Sequence, residues 1–145
     1  MAAGAAGTAV LNATSYADMA IRGRPASELP DKMVTALAKR AGLPAPEGPR
    51  QTAIGALLGY ADGFGAGAVY GLLRPAMRRV PWFLAGIGLA ALTLVLSEGT
   101  ATAMGQTNPR EWGFEGWMED IVPRCLYGCV TALTYERLTA DYTDW

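Results

Sequence analysis

Glycine occupies every fourth position of the stretch GALLGYADGFGAGAVYG, at Gly55, Gly59, Gly63, Gly67 and Gly71. In water each would weaken a helix by about 1 kcal/mol relative to alanine, so an unbroken register needs a compensating setting. A bilayer supplies one, because intramembrane backbone has no water to unfold into. Helices there associate by close backbone approach at small residues. Four residues turn a helix by about 400°, so the stripe precesses by about 40° per step. From Gly55 to Gly71 it climbs about 24 Å and swings about 160°. No straight neighbour can touch all five. The stripe therefore predicts a right-handed crossing with one helix, a second neighbour beyond it, and a glycine-bearing helix at the centre of a bundle. Matching small residues stand at Gly4, Gly7 and Thr8, at Gly86 and Ala90, and at Gly128 and Ala132.

The rest of the chain divides around this segment. Residues 1–21 carry one charge, Asp18, and are long enough as a helix to cross a hydrocarbon layer of about 30 Å. They lack the basic start of a signal peptide and end in Ile21-Arg22-Gly23-Arg24, which favours a retained helix. Residues 22–50 are basic and proline-rich. Within them, 30–41 reads as a short amphipathic helix with Met33, Val34, Leu37, Ala38 and Ala41 on one face. That face is too short to span and should be shielded at a membrane surface or against a partner. Spans are then expected at about 53–73, 80–98 and 121–138, with RPAMRRVP as a basic turn. In TNPREWGFEGWMED, Asn108, Pro109 and Glu111 have capping-box spacing. Trp112, Phe114 and Trp117 suit headgroup depth. A polar tail closes the sequence.

A soluble four-helix protein should carry a polar stripe on every helix, and 53–73 and 80–96 show none. Only 17% of the 145 residues are charged, the net charge is −1, and there is no basic face, so nucleic acid is not an expected partner. The absence of histidine removes the commonest general base and the commonest metal ligand. Cys125 and Cys129 are four apart, read as buried free thiols, and no metal or cofactor is expected.

The polar residues inside the apolar segments are the candidate sites. Asp62 falls within about 20° of Gly55 on the helical wheel, so it should be buried against a neighbour. Thr8, Asn12 and Ser15 form a polar line on the first helix that could satisfy it. Such a cluster would either pin helices by a hydrogen bond or carry protons or cations. Glu98 should reach the far interface and be solvated there, with a pair to Arg124 as the alternative. The acidic residues Glu111, Glu115, Glu119 and Asp120 read as a solvated surface. Orientation stays open. Eight Lys/Arg in the first and third connections against four elsewhere place the long loop inside, whereas the acidic aromatic loop looks extracytoplasmic.

The segments AAGTAVLNATSYADMAIRGRPAS and NPREWGFEGWMEDIVPRCLYGCVTAL resemble a group of small actinobacterial membrane proteins, and more distantly the YagU-like inner-membrane family. The likeness runs over most of the chain. It implies an integral inner-membrane protein and no particular chemistry. Members often carry a histidine after the helix proline, where this sequence has Arg124, so a role resting on that histidine does not carry over.

The expectation is an all-α polytopic membrane bundle with four transmembrane helices and short interfacial ones, multi-pass in the inner (plasma) membrane. Its partners would be the lipid bilayer and itself or another membrane protein. The leading role is structural or accessory in a membrane assembly. The alternative is a small channel or proton/cation-coupled transporter working through Asp62. An enzyme is disfavoured.

Overall fold

A computed structural model describes residues 1–140. It contains five helices, α1 Ala2–Arg22, α2 Leu29–Arg40, α3 Gly48–Leu73, α4 Trp82–Ala103 and α5 Phe114–Ala140. Short 3-10 turns lie at Arg74–Met77 and Pro109–Glu111, and there is no strand among the described residues. The last five residues of the polar tail fall outside the described part.

Helix boundaries follow local chemistry. α1 stops where Gly23 adopts φ 66 and its N–H returns to the Met19 carbonyl at 2.9 Å. α2 has Pro30 and Asp31 in its first turn and Lys39 and Arg40 in its last, the charges that suit the helix dipole. α3 begins at Gly48, five residues before the expected span. Pro49 sits in the first turn, where its missing N–H leaves no bond unmade. α5 likewise starts early and runs through Pro123, at the cost of the bond to the Glu119 carbonyl. The Asn108 motif caps a 3-10 turn rather than a helix. Its Oδ1 accepts from the Arg110 N–H, and its amide donates to Glu111 at 2.6 Å.

The helices stand side by side in the order α4, α5, α1, α3, α2, bent so that α3 comes back towards α4. Small residues set the closest approaches. A Cβ on Gly4 would lie 2.9 Å from the Gly63 carbonyl oxygen and from the Gly67 Cα. One on Gly86 would lie 2.8 Å from the Gly128 carbonyl oxygen, and one on Gly7 2.8 Å from the Tyr127 ring. These pairs make α1 antiparallel to both α3 and α5, and α4 antiparallel to α5. One end of the bundle therefore holds the start of α1 and the 74–81 turn. The other holds α2 and the 104–113 loop.

The centre is α5, not the glycine-rich α3. α5 packs along both α1 and α4, while α3 meets α4 and α5 at only a few points. The precession of the stripe is the reason. Gly55 lies under Pro30 and Asp31 of α2, Gly63 and Gly67 against α1, and Gly71 against Tyr135 of α5, so contacts are divided among three neighbours. Gly59 has open space where a side chain would be, contrary to its expected packing role. α5 instead presents Tyr127, Gly128, Thr131 and Ala132 to both sides, all buried.

Among the apolar residues of α4, most outward ones are large and, Leu89 apart, inward ones small. On α4, Ala85, Gly86, Leu89, Ala90 and Ala101 are buried at roughly four-residue intervals, and Phe83, Leu84, Ile87, Leu92, Val95 and Leu96 are exposed. α2 docks on α3 through Val34. The Gln51 amide donates to the Asp31 carbonyl and to the Thr35 hydroxyl, both at 2.9 Å. Leu37, expected to be shielded, is 44% exposed, because the apolar face of α2 is wider than the strip that meets α3.

Candidate functional site: a polar cleft between α1, α3, α4 and α5

Near the end of the bundle where α2 lies, the helices stand apart and leave two adjoining cavities. The outer, of about 600 Å³, is walled by Asn12, Ser15, Tyr16, Glu98, Trp112 and Asp120, among others. The inner, of about 590 Å³, is walled by Thr8, Asn12, Asp62, Ser97, Arg124 and Tyr127, among others. Asn12, Tyr16 and the segment 26–28 belong to both walls.

Arg124 stands at the junction. One Nη donates to Glu98 Oε1 at 3.1 Å and to the Ser97 hydroxyl at 3.0 Å, and the other pairs with Asp120 one helical turn back. Glu98 is 6% exposed. Its expected solvation at an interface is therefore wrong, and the alternative pair to Arg124 is the one formed. The close Gly86–Gly128 crossing draws α4 against α5 and carries Glu98 inside. Two carboxylates share one guanidinium here, and Glu98 Oε2 and Asp120 Oδ2 are buried without a hydrogen-bond partner.

Asp62 is exposed on the cleft wall rather than buried against α1. Precession again explains it. At this level α3 touches α1 through Gly63, which lies about 100° round the helix from Asp62. The side chain is thus aimed at the cleft, where its charge acts on Arg124 and Tyr127. The residues meant to satisfy it do other things. Thr8 is buried against Gly63 and donates to the Gly4 carbonyl at 2.8 Å. Asn12 lines both cavities, while Ser15 lines only the outer one. The structure thus brings Asp62, Asn12, Thr8 and Arg124 to one cavity wall without a direct bond between Asp62 and the α1 line.

Two residues of the cleft escaped sequence reading. Asp120 looked like surface, although its i, i+4 spacing to Arg124 carried the signal. Tyr127, 1% exposed, donates to the Gly63 carbonyl at 2.6 Å and fixes α3 to α5 at the floor of the inner cavity. Nothing in the sequence singles it out beyond the neighbouring glycine. At the mouth, Arg22 reaches Glu119 at 2.9 Å and Glu115 at 3.2 Å, and Arg24 reaches Asp18 at 2.5 Å, tying the end of α1 to the start of α5. At the opposite end, buried Arg74 donates to Glu136 at 2.6 Å. Cys125 and Cys129 are free and half-buried.

Among the described residues, no three His, Cys, Asp or Glu side chains converge as metal ligands would. One helix among them, α4, is by itself long and apolar enough to cross a membrane. No family model, curated protein or solved structure matches this chain.

Proposed function

We propose that the protein is a four-span membrane protein, with α1, α3, α4 and α5 crossing the bilayer and α2 at its surface, whose cleft takes up a small polar solute. The observation that carries this reading is the inverted distribution of side chains. Most Leu, Ile, Val and Phe side chains of α3 and α4 face outward, whereas Glu98, Thr8 and most of Arg124 lie inside and Asp62 and Asn12 line the cleft. A water-soluble bundle buries its most apolar helix. Only 28% of the apolar window of α4 is buried. The other three long helices owe their lower apolarity to Ala and Gly, which give up lipid affinity for close packing, and in α5 to charges.

This moves the emphasis from scaffold to channel or carrier. A helix-pinning role for Asp62 requires a bonded partner, and Asp62 has none, whereas an acid lining an intramembrane cleft is poised to meet a solute. The site for the protein would be the inner (plasma) membrane. An accessory role in a larger assembly is a second reading, favoured by Leu37 and Leu43, which are exposed on and just after α2. Reconstitution into proteoliposomes tests the first reading. The native protein should pass small solutes and Asp62→Asn should lose that flux while folding normally. Equal leak from native, variant and protein-free vesicles would contradict it.

A further inference from the structure

The Glu98–Asp120 pair is overdrawn in charge and in acceptors. Three of the carboxylates that line the two cavities, Glu98, Asp120 and Asp62, stand around the guanidinium of Arg124. The other lining cations, Arg24 and Lys32 of the outer cavity, are paired with Asp18 and Glu28. The other acids nearby are already engaged, Glu119 and Asp18 with Arg22 and Arg24, Glu28 with Lys32 at 3.1 Å, and Asp31 with the Thr52 hydroxyl at 3.0 Å. Of the buried pair, Glu98 Oε2 and Asp120 Oδ2 have no donor, and Glu98 has only 8% of its side chain exposed. A buried carboxylate without its full complement of donors is held at a cost that a cation with N–H groups relieves.

An anion is a poor fit for the same cleft. The cations that would hold it are spent, Arg124 on Glu98, Ser97 and Asp120, Arg24 on Asp18 and Lys32 on Glu28. A bare metal ion is no better served, since three acidic ligands do not converge anywhere among the described residues. The outer cavity, of about 600 Å³, is also far larger than an ion. Its walls include Tyr16 and Trp112 beside the acids, and aromatic faces attract organic cations.

We propose that the outer cavity binds a small organic cation bearing N–H donors, a primary ammonium or a guanidinium group, and that Arg124 is its tethered competitor. The ligand's donors take the oxygens of Glu98 and Asp120, and the guanidinium of Arg124 turns into the inner cavity towards Asp62. That acid lines the inner cavity with Arg124, already feels its charge, and has no partner of its own. Arg124 is thus a positioning residue that closes the junction in the empty protein and opens it when a cation arrives. This rests on the reading of the cleft as a solute site and names the class of solute.

Calorimetric titration of the full chain in lipid nanodiscs tests it, with ethylammonium chloride as the probe and tetramethylammonium chloride, sodium chloride and sodium sulfate as comparisons at matched ionic strength. Ethylammonium should bind saturably, and tetramethylammonium, which lacks N–H donors, about tenfold more weakly or not at all, as one charge-assisted hydrogen bond is worth at least that factor. Glu98→Gln should weaken ethylammonium binding by about tenfold or more. Arg124→Gln, which removes the competitor, should tighten it. Should that variant fail to fold, Asp62→Asn serves instead, because losing the second seat of Arg124 should weaken binding while Glu98 is intact. Unchanged binding in Glu98→Gln would overturn the proposal. So would sulfate binding that disappears in Arg124→Gln, the signature of an anion site. Absence of ethylammonium binding in a protein that still passes neutral solutes in vesicles would reject the cation and keep the cleft. Absence of both would reject the cleft as well.

Discussion

The two ends of the bundle are built from the same small residues and come out differently. Towards the start of α1, Gly4 meets Gly67, Gly7 meets Tyr127 and Thr131, and Gly86 meets Gly128, with backbones too close to admit a Cβ. Towards α2, Gly59 of the same stripe has nothing within 4 Å, and Tyr16, Arg24 and Trp112 line a cavity. A small residue brings helices together only where another element fills the space it leaves, a second glycine at Gly67 and Gly128 or the Tyr127–Thr131 face at Gly7. Opposite a void, as at Gly59, it leaves room. One end is thereby closed by packing and the other held open as a cleft.

The sharpest way to break this comparison is to place the same leucine at both ends. Gly67→Leu drives a side chain into the backbone of Gly4, whose nitrogen would lie 2.8 Å from the new Cβ. It should cost about 3 kcal/mol or more, at the upper end for overpacking. Gly59→Leu and Gly65→Leu enter open space and should change stability by no more than about 1 kcal/mol, the scale of glycine's helix penalty. Thermal unfolding of the three variants in detergent measures the gap, and similar losses for all three would remove the distinction.

Within the open end, Arg124→Ala should come next. It strands Glu98 as an uncompensated buried charge and should cost about 3–5 kcal/mol, read from denaturant midpoints. A smaller effect attaches to the floor of the cleft. Tyr127→Phe removes the donor to the Gly63 carbonyl and should cost about 1–2 kcal/mol. The smallest belongs to Asp62→Asn. Asp62 has no bonded partner to lose, so stability should stay within about 0.5 kcal/mol. A loss approaching that of Arg124→Ala would mean that Asp62 holds helices together after all.

How much of this was legible in the sequence depends on which quantity the residues report. Periodicity reports helix and face, and it located all five helices, including α2. It does not report which neighbour a face meets. The stripe announced several partners but not that Gly55, Gly67 and Gly71 would each have a different one, nor that α5 would be central. Asp62 shows the consequence. Measured against Gly55 it looks buried, yet the relevant reference is Gly63, where α1 crosses, and from there it points into the cleft. Glu98 failed for the opposite reason. Its distance along the helix suggested an interface, but its burial is decided by Arg124 on another helix, a pairing the sequence offered only as an option. The same holds for Asp120, whose spacing to Arg124 was visible and whose role needed the cavity.

Thiol accessibility in membranes tests the central claim, an aqueous cleft enclosed by helices with lipid-facing exteriors. In a background with Cys125 and Cys129 replaced by alanine, single cysteines are placed at Gly59 and Asp62 on the cleft, at Gly67 in the packed end, and at Val95, 66% exposed on the outer face of α4. Each is treated with a charged, membrane-impermeant thiol reagent added to both sides of the membrane. Gly59→Cys and Asp62→Cys should react readily, while Gly67→Cys, where the variant folds, and Val95→Cys should not. Reaction at Val95 as fast as at Asp62 would place the apolar face of α4 in water and contradict the membrane reading, and protection of both Gly59 and Asp62 would contradict the cleft.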